Sequence, residues 1–213
     1  MVQNLRLTNF NSINSTNTDN PASGFTAVPA STVSPETTAW CNSNDSACID
    51  KAQVYYDGSN ENYGAYYNWY TATAGTGTYS LNTDGTDAAG SICPKGWKLP
   101  SGGTSGETSD FYKLFKAYET ELGLTSWETT SGGRWRVPGI AATLESSSLL
   151  KLYRAGVVYN GSYGYEGDTS YLWSSTVGDA NNARYYRANA SDLYVRDNYY
   201  KYRGRPVRCV LGS

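Results

Sequence analysis

The chain has 213 residues, with 17 Lys/Arg against 19 Asp/Glu, a net charge of −2, 39% hydrophobic residues and no His. That balance leaves no whole-molecule nucleic-acid footprint, and without His there is no Ser–His or Cys–His pair and no imidazole metal ligand. Twenty Tyr exclude a wholly disordered chain, and 22 Gly stand amid much Ser, Thr and Asn. They point to a turn-rich β or α+β domain able to bury roughly 70% of its unfolded surface.

In chain order, "NLRLTNF" (4–10) reads as a short strand. Residues 11–50 form a Ser/Thr/Asn-rich arm or insertion with little periodicity. "AQVYYDG" (52–58) and "YGAYYNWYTA" (63–72) are strand-like and aromatic, and 75–91 is a Gly/Thr loop. The clearest helix follows: Phe111, Leu114, Phe115, Tyr118 and Leu122 recur on one helical stripe. Ser109 suits its N-cap, Asp110 its positive end and Gly123 its stop. The segment 139–156 fits either a short helix or a loop. Beyond it, "GVVYNGSYGY", "YLWSST", "ARYYRA", "DLYVRD" and "RPVRCV" have strand and hairpin character.

Four cysteines, Cys41, Cys48, Cys93 and Cys209, lack the paired C-x-x-C spacing of a zinc site. They read as two disulfides. Three pairings exist on paper; keeping near neighbours together gives Cys41–Cys48 and leaves Cys93 with Cys209. Disulfides place the protein in an extracytoplasmic compartment. No signal peptide or apolar span is visible, so the expectation is a domain truncated at its N-terminus, with its export signal or anchor elsewhere.

Motifs for catalysis are scarce. The dinucleotide and Walker patterns are absent, and "GTGTYS" lacks the Lys and the strand–helix context. Glu119 and Glu121 point to different sides of a helix, a solvated arrangement. Glu166 and Asp168 sit in a Gly-rich loop with no second oxygen cluster for Ca²⁺, and read as a polar turn. Cys93 and Cys209 fit a structural bridge better than a redox pair. No cofactor is expected.

The strong signal is aromatic. Eleven of the 20 Tyr lie from Tyr153 onward, mixed with Ser, Asn, Gly, Asp and Arg in the manner of an antibody paratope. Half-buried strand tyrosines are the plainer alternative. Alternation separates the two: Leu193 and Val195 should face the core, while Asp192, Tyr194 and Arg196 share the other face, and Tyr185 with Arg187 opposes Tyr186 and Ala188. The polar–aromatic face is therefore expected to be exposed for interaction. Between Arg184 and Arg208, seven Lys/Arg face only Asp192 and Asp197, a local excess suited to an acidic partner or to Arg hydrogen bonding.

"GSICPKGWKLPSGG", a helix, then "YLWSST", "ARYY" and "RGRPVRCV" resemble the Fibrobacter-type major paralogous domain family. That family lies in the formylglycine-generating-enzyme-like branch of the C-type lectin-like superfamily, and its C-terminal layout is used by variable proteins of diversity-generating retroelements. "MVQNLRL" looks like the family's W-M-x-x-N-L segment without its Trp, and "YGAYYNWYTATAG" like its Y-N-W segment. The resemblance covers most of the chain, least in the arm. It implies a single α+β domain over 1–213 with a C-type lectin-like fold, short antiparallel strands, about two helices and long loops. It also implies a Cys93–Cys209 bridge, Trp97 and Trp173 in the scaffold, and a variable region over 173–210. In diversified members, adenines of template Asn codons are randomised. From Val177 to Gly204 only Lys201 lies outside the residues an AAC codon can then encode, and the family pattern makes it a fixed basic position. The Ca²⁺ motifs of sugar-binding C-type lectins and the paired cysteines of formylglycine-generating enzymes are not present.

These readings make the chain an extracellular or cell-surface protein, monomeric, binding a protein or glycan ligand, with no nucleic acid and no membrane insertion. The expected ligand-binding residues are Tyr185, Arg187, Asn189, Asp192, Tyr194, Arg196, Asp197, Asn198, Tyr199, Tyr200 and Tyr202. Tyr159, Tyr163, Tyr165, Asp179, Asn181 and Asn182 extend them. Replacing Tyr194, Tyr199 and Tyr200 by Ala should remove binding and leave melting nearly unchanged. A non-variable structural or adhesive module is the alternative, and a formylglycine-generating-type enzyme stands behind both.

Overall fold

The computed structural model describes residues 4–6, 16–25, 40–56, 60–102, 108–125, 127–128, 133–147, 150–159 and 162–212. Helix α1 (Ser46–Ile49) starts where the Asp45 carboxylate accepts from the Cys48 backbone N–H, satisfying a donor the first turn leaves open. Strands β1 (Val54–Tyr55) and β2 (Tyr66–Tyr67) pair antiparallel. Helix α2 (Trp69–Ala72) follows at once, capped by Asn68, so the strand-like reading of 63–72 holds only for its first half. Strand β3 (Trp97–Lys98) is short. Helix α3 (Asp110–Ala117) is the expected one: Ser109 Oγ accepts from Tyr112 N–H, and Phe111 and Phe115 are buried. It ends a turn early at Tyr118, but Leu122 still packs inward and Gly123 takes φ +65°.

Strands β4 (Trp127–Glu128) and β5 (Arg134–Arg136) precede helix α4 (Ile140–Ser146), which settles the ambiguity over 139–156 in favour of a short helix. Hairpin β6 (Val157–Tyr159) and β7 (Ser162–Gly164) leads to three long strands, β8 (Ser170–Val177), β9 (Asn182–Ala188) and β10 (Asp192–Tyr200), and the chain closes on β11 (Val210–Leu211) against β3. The architecture is mixed α+β, with four helices among the described residues where about two were expected. Residues 4–6 form no strand. Leu5 instead donates to Val207 O and accepts from Ala65 N. The rest of "NLRLTNF" and much of the arm lie outside the described residues.

One antiparallel sheet, in the order β4-β5-β10-β9-β8, organises everything else. Both of its faces are covered, and strand alternation assigns each residue to one of them. On one face Leu172, Tyr186, Ala188, Leu193 and Val195 pack against Phe111 and Phe115 of α3 and Ile140 and Leu144 of α4. On the other, Tyr171, Trp173, Val177, Ala183 and Tyr185 meet Val54, Tyr67, Trp69, Ile92 and Val207 from the remainder of the chain. Burial on both sides explains why every residue of β8 is buried, its Ser and Thr included. Their polar atoms are satisfied: Ser174 Oγ donates to Arg184 O, and Ser175 Oγ to Asp87 Oδ1.

Both expected disulfides are formed. Cys41–Cys48 closes a short loop, and Cys93–Cys209 links positions 116 residues apart inside the second core. Among the described residues no helix is long and apolar enough to cross a membrane.

Candidate functional site

Where the cover over β8–β10 stops, the same sheet face opens into a cleft of about 340 Å³ lined by Val157, Tyr159, Tyr165, Tyr171, Tyr185, Arg187, Tyr199, Arg203 and Arg205. Three segments place these side chains. The meander β8–β10 supplies the floor, with Tyr171 paired to Arg187 and Asp197 to Tyr185. Hairpin β6–β7 and the turn after it supply one wall. The extended run 203–205 supplies the other. It is pinned by reciprocal backbone hydrogen bonds of Gly204 with Val158 and of Arg205 with Tyr67. A Cβ at Gly204 would come within 2.9 Å of Trp40 and Val158, so only glycine lets this run lie flat with its two arginines turned to the cleft side.

A bulge decides which β10 residues reach the cleft. The ladder is regular to Tyr194↔Arg187 and resumes at Asp197↔Tyr185, so two β10 residues stand opposite one on β9. Tyr194, Asp197 and Tyr199 therefore share one face, whereas simple alternation from Tyr194 continues to Arg196, Asn198 and Tyr200.

The floor is an arginine–tyrosine stack. The Arg205 guanidinium lies 4.0 Å from the Tyr185 ring centre, 4.3 Å from Trp173 and 5.5 Å from Tyr171. Arg203 sits 4.2 Å from Tyr159 and 5.0 Å from Tyr199. Arg187 lies 4.3 Å over Tyr194 and pairs with Asp197 Oδ2 at 3.2 Å, and Tyr185 OH donates to the same oxygen at 3.1 Å. Arg205 is 2% exposed, and among the described residues its Nε and Nη1 find no acceptor. Burial lowers the pKa of Arg205 and raises those of Tyr185 and Tyr171, so both phenols stay protonated as hydrogen-bond donors at neutral pH. At the mouth Tyr165 is 56% exposed with φ +61°, a backbone conformation a bulky residue rarely adopts, and Tyr199 is 42% exposed.

Of the expected binding residues, Tyr159, Tyr165, Tyr185, Arg187 and Tyr199 line this cleft, and Asp197 lies just behind it. The expectation that the whole polar–aromatic face is exposed needs correction, because the sheet is covered on both sides. Tyr185 is buried against Trp173 and Tyr171. Tyr194 is 9% exposed, with its hydroxyl accepting from Arg134 Nη1 at 2.7 Å. Tyr202 is buried and stacks on Tyr200 at 5.2 Å.

Others serve turns or packing. Asp179 Oδ1 accepts from the backbone N–H groups of Asn181 and Asn182, closing the β8–β9 turn. Asn189 Oδ1 does the same for Ser191 and Asp192 between β9 and β10. Asp192 pairs with Arg134 at 3.7 Å. Tyr163 packs among Tyr55 and Tyr66. Asn198 is exposed, and Tyr200 is half-buried against Tyr199. The Arg196 side chain lies outside what is described.

Leu193 and Val195 are fully buried, as alternation requires. So is Lys201, whose Nζ donates to Thr78 O and Leu81 O beneath the Trp69 ring. Tyr171, Arg203 and Arg205 escaped the sequence reading. For the two arginines the one signal is the excess of basic residues between 184 and 208, and for Tyr171 it is the crowding of Tyr beyond Tyr153. No protein-family model matches the chain, and no curated protein or solved structure matches it.

Proposed function

We propose that this chain is a ligand-binding domain whose site is the Tyr/Arg cleft and its rim, acting by recognition rather than catalysis. The observation that carries the reading is the cleft itself. Five tyrosines and three arginines converge where a sheet face leaves the core. Tyr rings give broad contact area at low entropy cost, and Arg adds directional hydrogen bonds. The floor is held by stacking and by backbone pairing on both sides, so little ordering remains for binding to impose.

We further propose that the domain is a C-type lectin-like variable protein of the retroelement-diversified kind, displayed outside the cytoplasm. Two disulfides support the compartment. The restricted residue set of 177–204 supports diversification, and its one exception, Lys201, is a buried scaffold residue. Sequencing the flanking DNA tests this. A reverse-transcriptase gene beside a near-identical repeat of the 173–210 coding segment is the expected finding. An intact neighbourhood with neither would remove diversification from the reading and leave the binding site to be judged by ligand.

A further inference from the structure

We infer that the cleft takes a carboxylate carried on a sugar ring, with the carboxylate against Arg203 and Arg205 and the ring against the tyrosines at the mouth. This rests on the cleft being the ligand site.

Charge is the first argument. Three guanidiniums line the cleft, and the carboxylate beside them, Asp197, is already engaged by Arg187 and by Tyr185 OH. Among the described residues neither Arg203 nor Arg205 forms an ion pair, although both line the cleft. A guanidinium held out of bulk water without a counter-ion is costly, and an oxyanion with two oxygens matches its planar fork. Burial already weighs against the charged form of Arg205, so a bound anion gains what that site lacks.

Size and wall chemistry choose the body that carries the anion. A volume of about 340 Å³ lies at the lower end for small-molecule sites, roughly 300–1,000 Å³. Among the described residues Val157 is the sole aliphatic one lining the cleft. An apolar side chain would find little to cover it, whereas a sugar ring offers an apolar face to Tyr165 and Tyr199 and hydroxyls to the phenols around it. No metal enters this scheme.

The test uses the full chain, ¹⁵N-labelled, with the Arg Nε–Hε resonances of Arg203 and Arg205 as reporters. Sodium glucuronate is titrated at constant ionic strength, with glucose, N-acetylaspartate and sodium chloride as parallel arms. The expected result is a saturable shift with glucuronate, none with glucose or chloride, and binding of N-acetylaspartate about tenfold weaker. Arg203→Gln, at the half-exposed wall, should weaken glucuronate about tenfold while the fold is retained.

Equal response to glucose would overturn charge recognition. Response to chloride alone would make the site an adventitious anion trap. Equal or tighter N-acetylaspartate would assign the cleft to an acidic peptide residue instead. No shift in any arm would also overturn the inference. The wider reading would then stand only if a Tyr165→Ala/Tyr199→Ala variant lost binding to another ligand that the wild type retains.

Discussion

The tyrosines of this chain divide into buried supports and exposed rings at the mouth of the cleft, and two alanine substitutions measure the division. Tyr186 is fully buried, its ring 5.2 Å from Phe115 and 5.6 Å from Phe111, between α3 and the sheet. Truncating such a ring leaves a cavity that packed neighbours cannot close, costing about 3–5 kcal/mol. Tyr199 is 42% exposed and touches the Tyr200 ring at 4.6 Å and the Arg203 guanidinium at 5.0 Å. Each of these contacts is worth about 0.5–1 kcal/mol, so Tyr199→Ala should cost about 1–2 kcal/mol. In a domain of this size 1 kcal/mol moves Tm by about 2–4 °C, so the two variants should melt about 2–16 °C apart, with Tyr186→Ala the lower. Tyr194→Ala should fall between them, since the change removes a hydrogen bond from Arg134 and a stacked Arg187. Scanning calorimetry with urea titration reads all three. If Tyr199→Ala proved as damaging as Tyr186→Ala, the mouth of the cleft would belong to the core, and its role as a contact surface would be refuted.

Three further outcomes are expected. Replacing Cys93 and Cys209 together by Ala should cost about 4.9 kcal/mol on chain-entropy grounds, against about 2.5 kcal/mol for Cys41 and Cys48, because the loops closed span 116 and 7 residues. Urea midpoints in the reverse order would contradict that account. Burial lowers the Lys201 pKa to about 8, below its unfolded value of about 10.4. Between those values the unfolded chain binds more protons, so this group adds stability as pH rises from 8 toward 10. Lys201→Met should flatten that slope, and parallel pH–stability profiles for wild type and variant would count against it. Finally, random substitution followed by selection for folded protein should accept changes at Asn198 and Tyr199 and reject them at Leu193, Val195 and Tyr186. Uniform tolerance would mean that β9 and β10 do not have the packed face described above.

How far these features could be read from the sequence depended on the length of the pattern carrying them. Helix α3 spans two turns, and its apolar stripe and Ser109 cap are legible in the sequence. The strands β8 to β10 run seven to nine residues, long enough for alternation to place Leu193 and Val195 in the core. Helix α2 is four residues long and β3 to β5 only two or three, too short for any period to register. Burial on the second sheet face was illegible for another reason. The residues covering it, such as Val54, Trp69 and Val207, come from segments with no amphipathic pattern of their own.

The bulge in β10 shows why the site was half legible. Counting by twos from Tyr194 leads to Arg196, Asn198 and Tyr200, and the inserted residue moves the face to Asp197 and Tyr199. On that face Trp173, Val177 and Ala183 lie in the core, while Tyr171 and Tyr185, packed against the same core, also border the cleft beside Arg187 and Tyr199. A surface that passes from core to solvent within a few residue pairs disfavours aliphatic side chains, which would stand exposed, and carboxylates, which would be desolvated without partners. Tyr supplies a ring for the buried side and a hydroxyl for the wet side, and a stacked Arg does the same with its plane and its edge. The tyrosine and arginine crowding of the C-terminal region thus follows from where the sheet's cover ends. It also explains why Tyr185 and Arg205, both buried in the core, still border the cleft.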